Sequence, residues 1–160
     1  MELTAATCAK HLGGVRSIRL YGASDILSVA YDTRSKCFGL PQLMEGCSAL
    51  DLCFVEGSAT FEERLDDKGV VTHIVGCDIA GALPEAVERV RSFAREGVVA
   101  LVATADGGSY LVGYSPKAEG DYPLLLTEAR VESHATRRES ATTSLHLSST
   151  HGWFSKPVMV

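Results

Sequence analysis

Short apolar runs separated by single glycines dominate the chain, and most of them alternate between apolar and polar side chains. Alternation with a period of two is typical of β-strands that bury one face. In the first run, residues 15–21, we expect Ile18 and Leu20 to face inward. The same pattern predicts further strands at residues 26–31, 50–55, 59–65, 70–79, 98–104, 109–114, 124–133 and 141–150. Residues 32–47 lack a clear period and are predicted to form a loop.

Tight turns join several of these strands. The turns Asp66-Asp67-Lys68-Gly69 and Ala105-Asp106-Gly107-Gly108 supply glycine where a hairpin requires a positive φ. The connections between residues 50 and 79 are too short for crossovers, so this stretch is predicted to form an antiparallel meander.

The last predicted hairpin, residues 124–150, has one polar face. In its first arm, Glu128, Arg130 and Glu132 alternate with the opposite set, which is Leu125, Thr127, Ala129 and Val131. In its second arm, Leu145 and Leu147 oppose Thr142, Ser144, His146, Ser148 and Thr150. The polar face is expected to meet water or another polar surface.

One segment, at about residues 83–96, has the pattern of a helix. Pro84 suits the first turn, Gly97 ends the helix, and Leu83, Val87, Val90 and Ala94 form one apolar stripe. The fold class is therefore predicted to be mainly β (α+β): an antiparallel β-sandwich or barrel with one flanking α-helix. Residues 1–160 are interpreted as one domain, with residues 151–160 either docking on the core or forming a C-terminal arm.

Composition and charge exclude several classes of protein. The chain has 15 basic and 20 acidic residues and a net charge of −5, which argues against tight, sequence-specific nucleic-acid binding. The first residues do not resemble a secretory signal, and the longest uncharged apolar run, residues 97–105, is too short for a membrane span. We therefore expect no membrane association, a cytoplasmic protein, and five reduced, mostly buried cysteines.

A search for catalytic motifs finds none. The chain has no P-loop, GxGxxG, HExxH or GxSxG motif. The stretch Gly107-Gly108-Ser109-Tyr110-Leu111 ends in leucine where a nucleophile elbow needs glycine, and it lies in a predicted hairpin turn. We assign no catalytic residue and no cofactor from the sequence.

Candidate metal ligands do not form a recognisable set. His73 and Cys77 share a strand face but lie roughly 13 Å apart at the usual rise per residue. Cys37, Cys47 and Cys53 are nearby in sequence but show no paired short spacing. We predict buried cysteines, a surface His73 and no metal. The acidic group Glu62, Glu63, Asp66 and Asp67 is predicted to be a solvated hairpin end. A Cys–His nucleophile pair formed in space stays open.

The resemblance of the chain to known proteins involves several stretches. These are residues 8–21, with Cys8, His11-Leu12-Gly13-Gly14-Val15 and Leu20-Tyr21; residues 67–77; residues 98–114; and Gly120-Asp121-Tyr122, followed by the long two-stranded arm. Together they resemble small proteins encoded among tail genes in prophages of Bacteroidetes. Such proteins are similar in architecture to phage tail-tube proteins and to the ring protein of type VI secretion. The resemblance implies a β-sandwich or barrel with a flanking helix and carries no active site.

The sequence and this resemblance lead to one leading expectation and one alternative. We expect a structural, non-enzymatic subunit that assembles into rings or tubes of a phage or phage-like tail, with itself and other tail proteins as partners. Residues expected at the assembly interface are Glu128, Arg130, Glu132, Arg137, Arg138, His146, Trp153 and Phe154. The alternative is a monomeric small β-barrel enzyme or ligand-binding protein with a pocket lined by Cys53, His73 or Cys77.

Overall fold

A computed structural model describes residues 14–115, 120–133, 141–151 and 154–159. The strands in chain order are β1 (Val15–Gly22), β2 (Ile26–Ser28), β3 (Tyr31–Asp32), β4 (Cys37–Phe38), β5 (Gln42–Leu43), β6 (Leu50–Asp51), β7 (Thr60–Leu65), β8 (Val71–Ala80), β9 (Val98–Thr104), β10 (Ser109–Val112), β11 (Tyr114–Ser115), β12 (Gly120–Asp121), β13 (Leu125–Glu132), β14 (Thr142–His151) and β15 (Lys156–Pro157). Helix α1 (Pro84–Phe93) lies between β8 and β9, and a short 3-10 turn covers Ala23–Asp25.

Two antiparallel sheets form the body of the molecule. One has five strands in the order β15-β10-β9-β1-β6, and the other has four in the order β13-β14-β8-β7. Apolar side chains from both sheets meet in one core, including Ile18 and Val102 from the first and Val75 and Leu147 from the second. The predicted class of antiparallel β structure with one helix is confirmed, and the described sheets do not close into a barrel.

The middle strand of the five-stranded sheet, β9, is buried on both faces. Val98, Ala100 and Val102 of β9 belong to the main core, whereas Val99 packs in a second cluster with Phe38, Leu111 and Val158. Phe38 lies in the segment between β1 and β6, and its ring packs against those of Tyr31 and Tyr114. Burial on both sides explains why residues 98–103 are a continuous apolar run instead of an alternating one.

Helix α1 carries the chain from one sheet to the other and begins with Pro84 in its first turn. Val90 and Ala94 are buried, as its stripe predicts. The prediction that Leu83 belongs to that stripe is wrong. Leu83 is the N-cap residue, has a non-helical backbone and is 43% exposed. Gly97 has a φ of +89°, and a Cβ there would lie 2.3 Å from Pro123 Cβ, so glycine is required. No helix in the described ranges is both long and apolar enough to cross a membrane.

The predicted meander between residues 50 and 79 is wrong in its first strand. β6 pairs with β1 in the five-stranded sheet, and only β7 and β8 form a hairpin. The backbone N–H of Leu52 donates to Ile18 O, while that of Val55 donates to Asp78 O in the other sheet. This segment therefore crosses between the two layers, which a few extended residues can span because packed sheets lie about 10 Å apart. The predicted strand at residues 26–31 is likewise divided into β2 and β3.

The last hairpin pairs as predicted, but a bulge changes the face of its first residues. Leu126 lies opposite Leu147 and Glu128 lies opposite His146, which leaves Thr127 as the extra residue. A bulge reverses the side-chain alternation on its far side. Leu125 consequently lies opposite Ser148 on the polar face and is 50% exposed, while Leu126 packs on the core. The prediction that Leu125 shares a face with Ala129 and Val131 is wrong for this reason.

Candidate functional site

The face of the four-stranded sheet that points away from the core is polar, and we call it the outer face. Its members follow from the strand pairing, because directly opposite residues in antiparallel strands share a face. They are Leu125, Glu128, Arg130 and Glu132 of β13, Thr142, Ser144, His146, Ser148 and Thr150 of β14, Thr72, Ile74, Gly76, Asp78 and Ala80 of β8, and Thr60, Glu62 and Arg64 of β7.

Apart from Asp78 on β8, the acidic and basic residues of the outer face lie on its two edge strands. On β13, Arg130 forms an ion pair with Glu132, and Glu128 Oε2 lies 3.8 Å from His146 Nδ1. On β7, Arg64 Nη2 lies 2.5 Å from Glu62 Oε1. These side chains are mostly exposed, so each pair contributes little to stability. The structure thus brings together four of the residues expected at an assembly interface: Glu128, Arg130, Glu132 and His146.

The middle of the outer face is shaped by Gly76. A Cβ at this position would lie 3.0 Å from His146 Cδ2 and 3.2 Å from Thr60 Oγ1. The imidazole of His146 therefore lies close over the backbone of β8. Beside it, Ser144 Oγ donates to Asp78 Oδ1 at 2.7 Å, which ties β14 to β8 through their side chains.

Both sides of this sheet end in strands with a free edge in the part of the chain that the structure describes. β13 and β7 are the outer strands, and no further described strand pairs with either. No described backbone hydrogen bond reaches the open side of residues 125–132 or 60–65. Most side chains of β13 are exposed on both of its faces, including Val131 at 40%. These edges present backbone donors and acceptors that another strand can satisfy.

The remaining predicted interface residues lie elsewhere. Phe154 is 47% exposed, whereas Arg137, Arg138 and Trp153 lie outside the described residues. After Phe154 the chain returns to its own fold. β15 pairs with β10, and Val158 is buried beside Phe38.

A buried polar cluster that the sequence does not predict lies at the inner face of the β7–β8 hairpin. Glu63 Oε1 lies 2.7 Å from His73 Nδ1 and accepts the backbone N–H of Ser155 at 2.8 Å. The side chain of His73 is fully buried and that of Glu63 is 15% exposed. The prediction of a surface His73 is wrong, and so is that of a solvated Glu63.

The register of the hairpin explains the error. The backbone N–H of Asp66 donates to Val70 O, so the connection consists of residues 67–69. Counting three pairs outward places Glu63 opposite His73, on the side that faces the core. A turn of four residues, 66–69, would instead place Glu63 opposite Thr72, so the exact turn length is the signal that identifies the pair. Burial raises the pKa of Glu63, but the hydrogen bonds from His73 and Ser155 outweigh it and hold that pKa below its ordinary value.

The three residues Ser155, His73 and Glu63 do not form a hydrolytic triad. In such a triad the hydroxyl and the carboxylate contact opposite nitrogens of the imidazole. Here Ser155 Oγ lies 3.4 Å from Nδ1, the same nitrogen that contacts Glu63. These contacts instead attach the C-terminal segment at Ser155 to the four-stranded sheet.

Within the described ranges, the thiols do not assemble a shared site. Cys37, Cys47, Cys53 and Cys77 are free, and burial together with Asp78 raises the pKa of Cys77 to about 11. Cys8 lies outside the described residues. No group of three or more His, Cys, Asp or Glu residues with metal-binding geometry occurs in the described ranges.

An open groove of about 550 Å³ lies between the start of β1 and the crossing segment after β6. Its lining includes Arg16, Cys53 and Glu56, but neither His73 nor Cys77. Of the three candidate pocket residues, Cys53 therefore lines the groove, whereas His73 and Cys77 lie in the core.

Comparisons with protein-family models, with curated proteins and with solved structures find no match for this chain.

Proposed function

We propose that this chain is a structural subunit whose copies join through the edges of the four-stranded sheet into rings or tubes. The observation that carries the proposal is the pair of open edges, β13 with eight residues and β7 with six, on opposite sides of one sheet. Monomeric proteins usually shorten, cover or distort such edges, because unpaired strands associate. β13 has one such distortion, the bulge at Thr127, but its residues 128–132 pair regularly with β14. Here the edges flank a polar outer face that tolerates water on one side of a closed assembly.

The resemblance to tail proteins supports placing this subunit in a phage or phage-like tail. Its partners are then other copies of the chain and other tail proteins, and assembly takes place in the cytoplasm before the particle is complete. The net charge of −5 suits a lumen that lets DNA pass, because like charges repel. The proposed function requires no catalytic residue.

The direct experiment is to concentrate the purified chain to millimolar levels and examine it by sedimentation velocity and negative-stain electron microscopy. Rings or tubes support the proposal, and a strict monomer contradicts it. Val131→Lys places a charge on the β13 edge, a device by which natural edge strands avoid pairing. We expect this variant to assemble poorly and to unfold at the same temperature as the parent when dilute. Met44→Lys is the matched control, because Met44 is equally exposed at 41% and follows β5, outside the four-stranded sheet.

The groove beside Cys53 favours a second candidate, a ligand-binding protein. Its size is within the range of small-molecule sites, and Arg16 and Glu56 offer both signs of charge. Thermal-shift screening of small molecules tests this candidate. A hit that disappears in Cys53→Trp, which fills the groove, supports it, provided that the variant retains the melting temperature of the parent.

A further inference from the structure

The directions of the two edge strands suit pairing between copies. Every neighbouring pair in the order β13-β14-β8-β7 is antiparallel, so β13 and β7 run in opposite directions. When a second copy with the same orientation is placed beside the first, its β7 runs antiparallel to β13. Such a head-to-tail contact repeats from copy to copy and closes into a ring or continues as a tube.

The backbone groups of the two edges also match. Glu128, His146, Gly76 and Thr60 form one row of directly opposite residues across the sheet. Along such a row, hydrogen-bonded and non-hydrogen-bonded pairs alternate. The row contains three pairs, so its first pair (Glu128 and His146) and its last pair (Gly76 and Thr60) are of the same type. The N–H and C=O groups of Glu128 and Thr60 therefore both point into the sheet or both point out of it. A strand from a second copy can therefore continue the ladder with outer-face residues opposite outer-face residues.

Among alignments that differ by up to two residues, the charges on the two edges favour one. Along β13 the outer face presents acidic Glu128, basic Arg130 and acidic Glu132. Read in the opposite direction, β7 presents basic Arg64, acidic Glu62 and neutral Thr60. Opposite charges that face each other across strands are stabilising, and like charges are destabilising.

Other alignments are less favourable. A slip of two residues in one direction places Arg130 opposite Arg64 and Glu132 opposite Glu62. A slip of two in the other direction places Glu128 opposite Glu62. A slip of one residue reverses the faces of the added strand and turns the charged side chains toward the core side.

We propose that β13 of one subunit pairs with β7 of a second copy of this chain, with Glu128 opposite Arg64 and Arg130 opposite Glu62. This inference rests on the proposed function and names the surfaces and the register through which the assembly forms. On the inner side, the same register sets Val131 opposite Phe61 and Ala129 opposite Glu63. Val131 thereby gains an apolar neighbour, and the small Ala129 leaves the hydrogen bonds of Glu63 intact.

Charge reversal tests the pairing. Arg64→Glu places two acids opposite each other, and we expect the concentration needed for half-assembly to rise about tenfold. The double variant Glu128→Arg with Arg64→Glu restores the attraction and should return that concentration to near the parent value. Arg91→Glu is the matched control, because Arg91 is as exposed as Arg64 (72% and 70%) and likewise faces a glutamate of its own chain. It should leave assembly unchanged, and all variants should melt like the parent when dilute.

Disulfide trapping tests the register. In a Cys53→Ser background, Arg130→Cys combined with Glu62→Cys should give oxidised multimers on a denaturing gel. Arg130→Cys combined with Arg64→Cys, which samples the slipped register, should give few, and Arg130→Cys alone serves as the blank. A disulfide within one chain, or multimers only from the slipped pair, overturns the inference.

The two proposals fail in different ways. If the parent assembles but neither the charge variants nor the cysteine pair has an effect, this pairing is wrong and the assembly uses another surface. If the parent stays monomeric at every concentration, the proposed function fails and the pairing fails with it.

Discussion

His73 and Glu63 form a buried contact, with Nδ1 of the imidazole 2.7 Å from Oε1 of the carboxylate. The same carboxylate oxygen accepts the N–H of Ser155, 92 residues further along the chain. One acidic side chain thus links the β7–β8 hairpin to the segment that leads into β15. Because β15 pairs with β10 of the other sheet, the contact also connects the two layers.

Replacing the carboxylate should reveal this linkage. Glu63→Gln exchanges two charge-assisted hydrogen bonds for weaker neutral ones beside a fully buried imidazole. We expect the free energy of unfolding to fall by about 1–3 kcal/mol, measured by urea denaturation. Glu62→Gln makes the same chemical change on the exposed face of the same strand and should alter it by less than about 0.5 kcal/mol. Equal losses in both variants would contradict the structural role of Glu63.

The same group predicts a dependence of stability on pH. The pKa of Glu63 in the folded protein lies below the value of 4.5 expected for an unfolded chain. The unfolded state therefore takes up a proton first, and the stabilisation from Glu63 is present above pH 4.5 and is lost as the pH falls through the folded pKa. The difference in unfolding free energy between the parent and Glu63→Gln should shrink on acidification below pH 4.5. A difference that grows in acid would show that the sign is wrong.

The success and failure of the sequence predictions have physical causes. Local signals suffice for the hairpin at residues 66–69, where Asp66 Oδ1 accepts the N–H groups of Lys68 and Val70, and for the helix with its buried Val90. The partner of residues 50–55 is not a local property, because a short connection can lead to a neighbouring strand or across to the facing sheet. The bulge at Thr127 leaves no mark in the alternation, since Leu125 and Leu126 are equally apolar.

In the candidate site, too, local features can be predicted from the sequence and long-range pairing cannot. The polar face of the last hairpin is readable from its alternation, and the structure places Glu128, Arg130, Glu132 and His146 on it. The β7 edge is not readable, because only the strand order shows that residues 60–65 lie at the far side of the same sheet. The position of His73 is misjudged because a polar residue in an alternating strand usually faces water, whereas here Glu63 contacts its Nδ1 within the core.

Val90 tests the placement of helix α1 on the core. Its side chain is 3% exposed, so Val90→Asp buries a carboxylate that has lost its water. We expect a loss of several kcal/mol, in the range of about 3–5, or failure to fold. Ser92→Asp introduces the same charge at an exposed position of the same helix and should be nearly neutral by thermal melting. A Val90→Asp variant that melts like the parent would mean that the helix does not pack as described.

The thiols should differ in reactivity according to burial. Cys53 is exposed and should be alkylated in the native protein. Cys77 is buried with a pKa raised to about 11, so its reactive thiolate is scarce and it should be modified only on unfolding. Peptide mass spectrometry after timed alkylation with and without urea measures both sites. Rapid modification of Cys77 in the folded protein would contradict its position in the core.

The connection between β13 and β14 provides a test of assembly that is independent of single charges. Residues 135–140, which include Arg137 and Arg138, join the two arms and lie outside the described residues. Deleting them and inserting Asn-Gly leaves a five-residue connection between the paired residues Glu132 and Thr142, a length that β-hairpins accommodate. We expect sedimentation velocity to show weaker assembly, because basic side chains that can meet an acidic neighbouring copy are removed. Thermal unfolding of the dilute protein should change little, since the shortened loop carries none of the described core. A deletion that destabilises the dilute chain as much as it weakens assembly would assign these residues to folding instead of to contacts between copies.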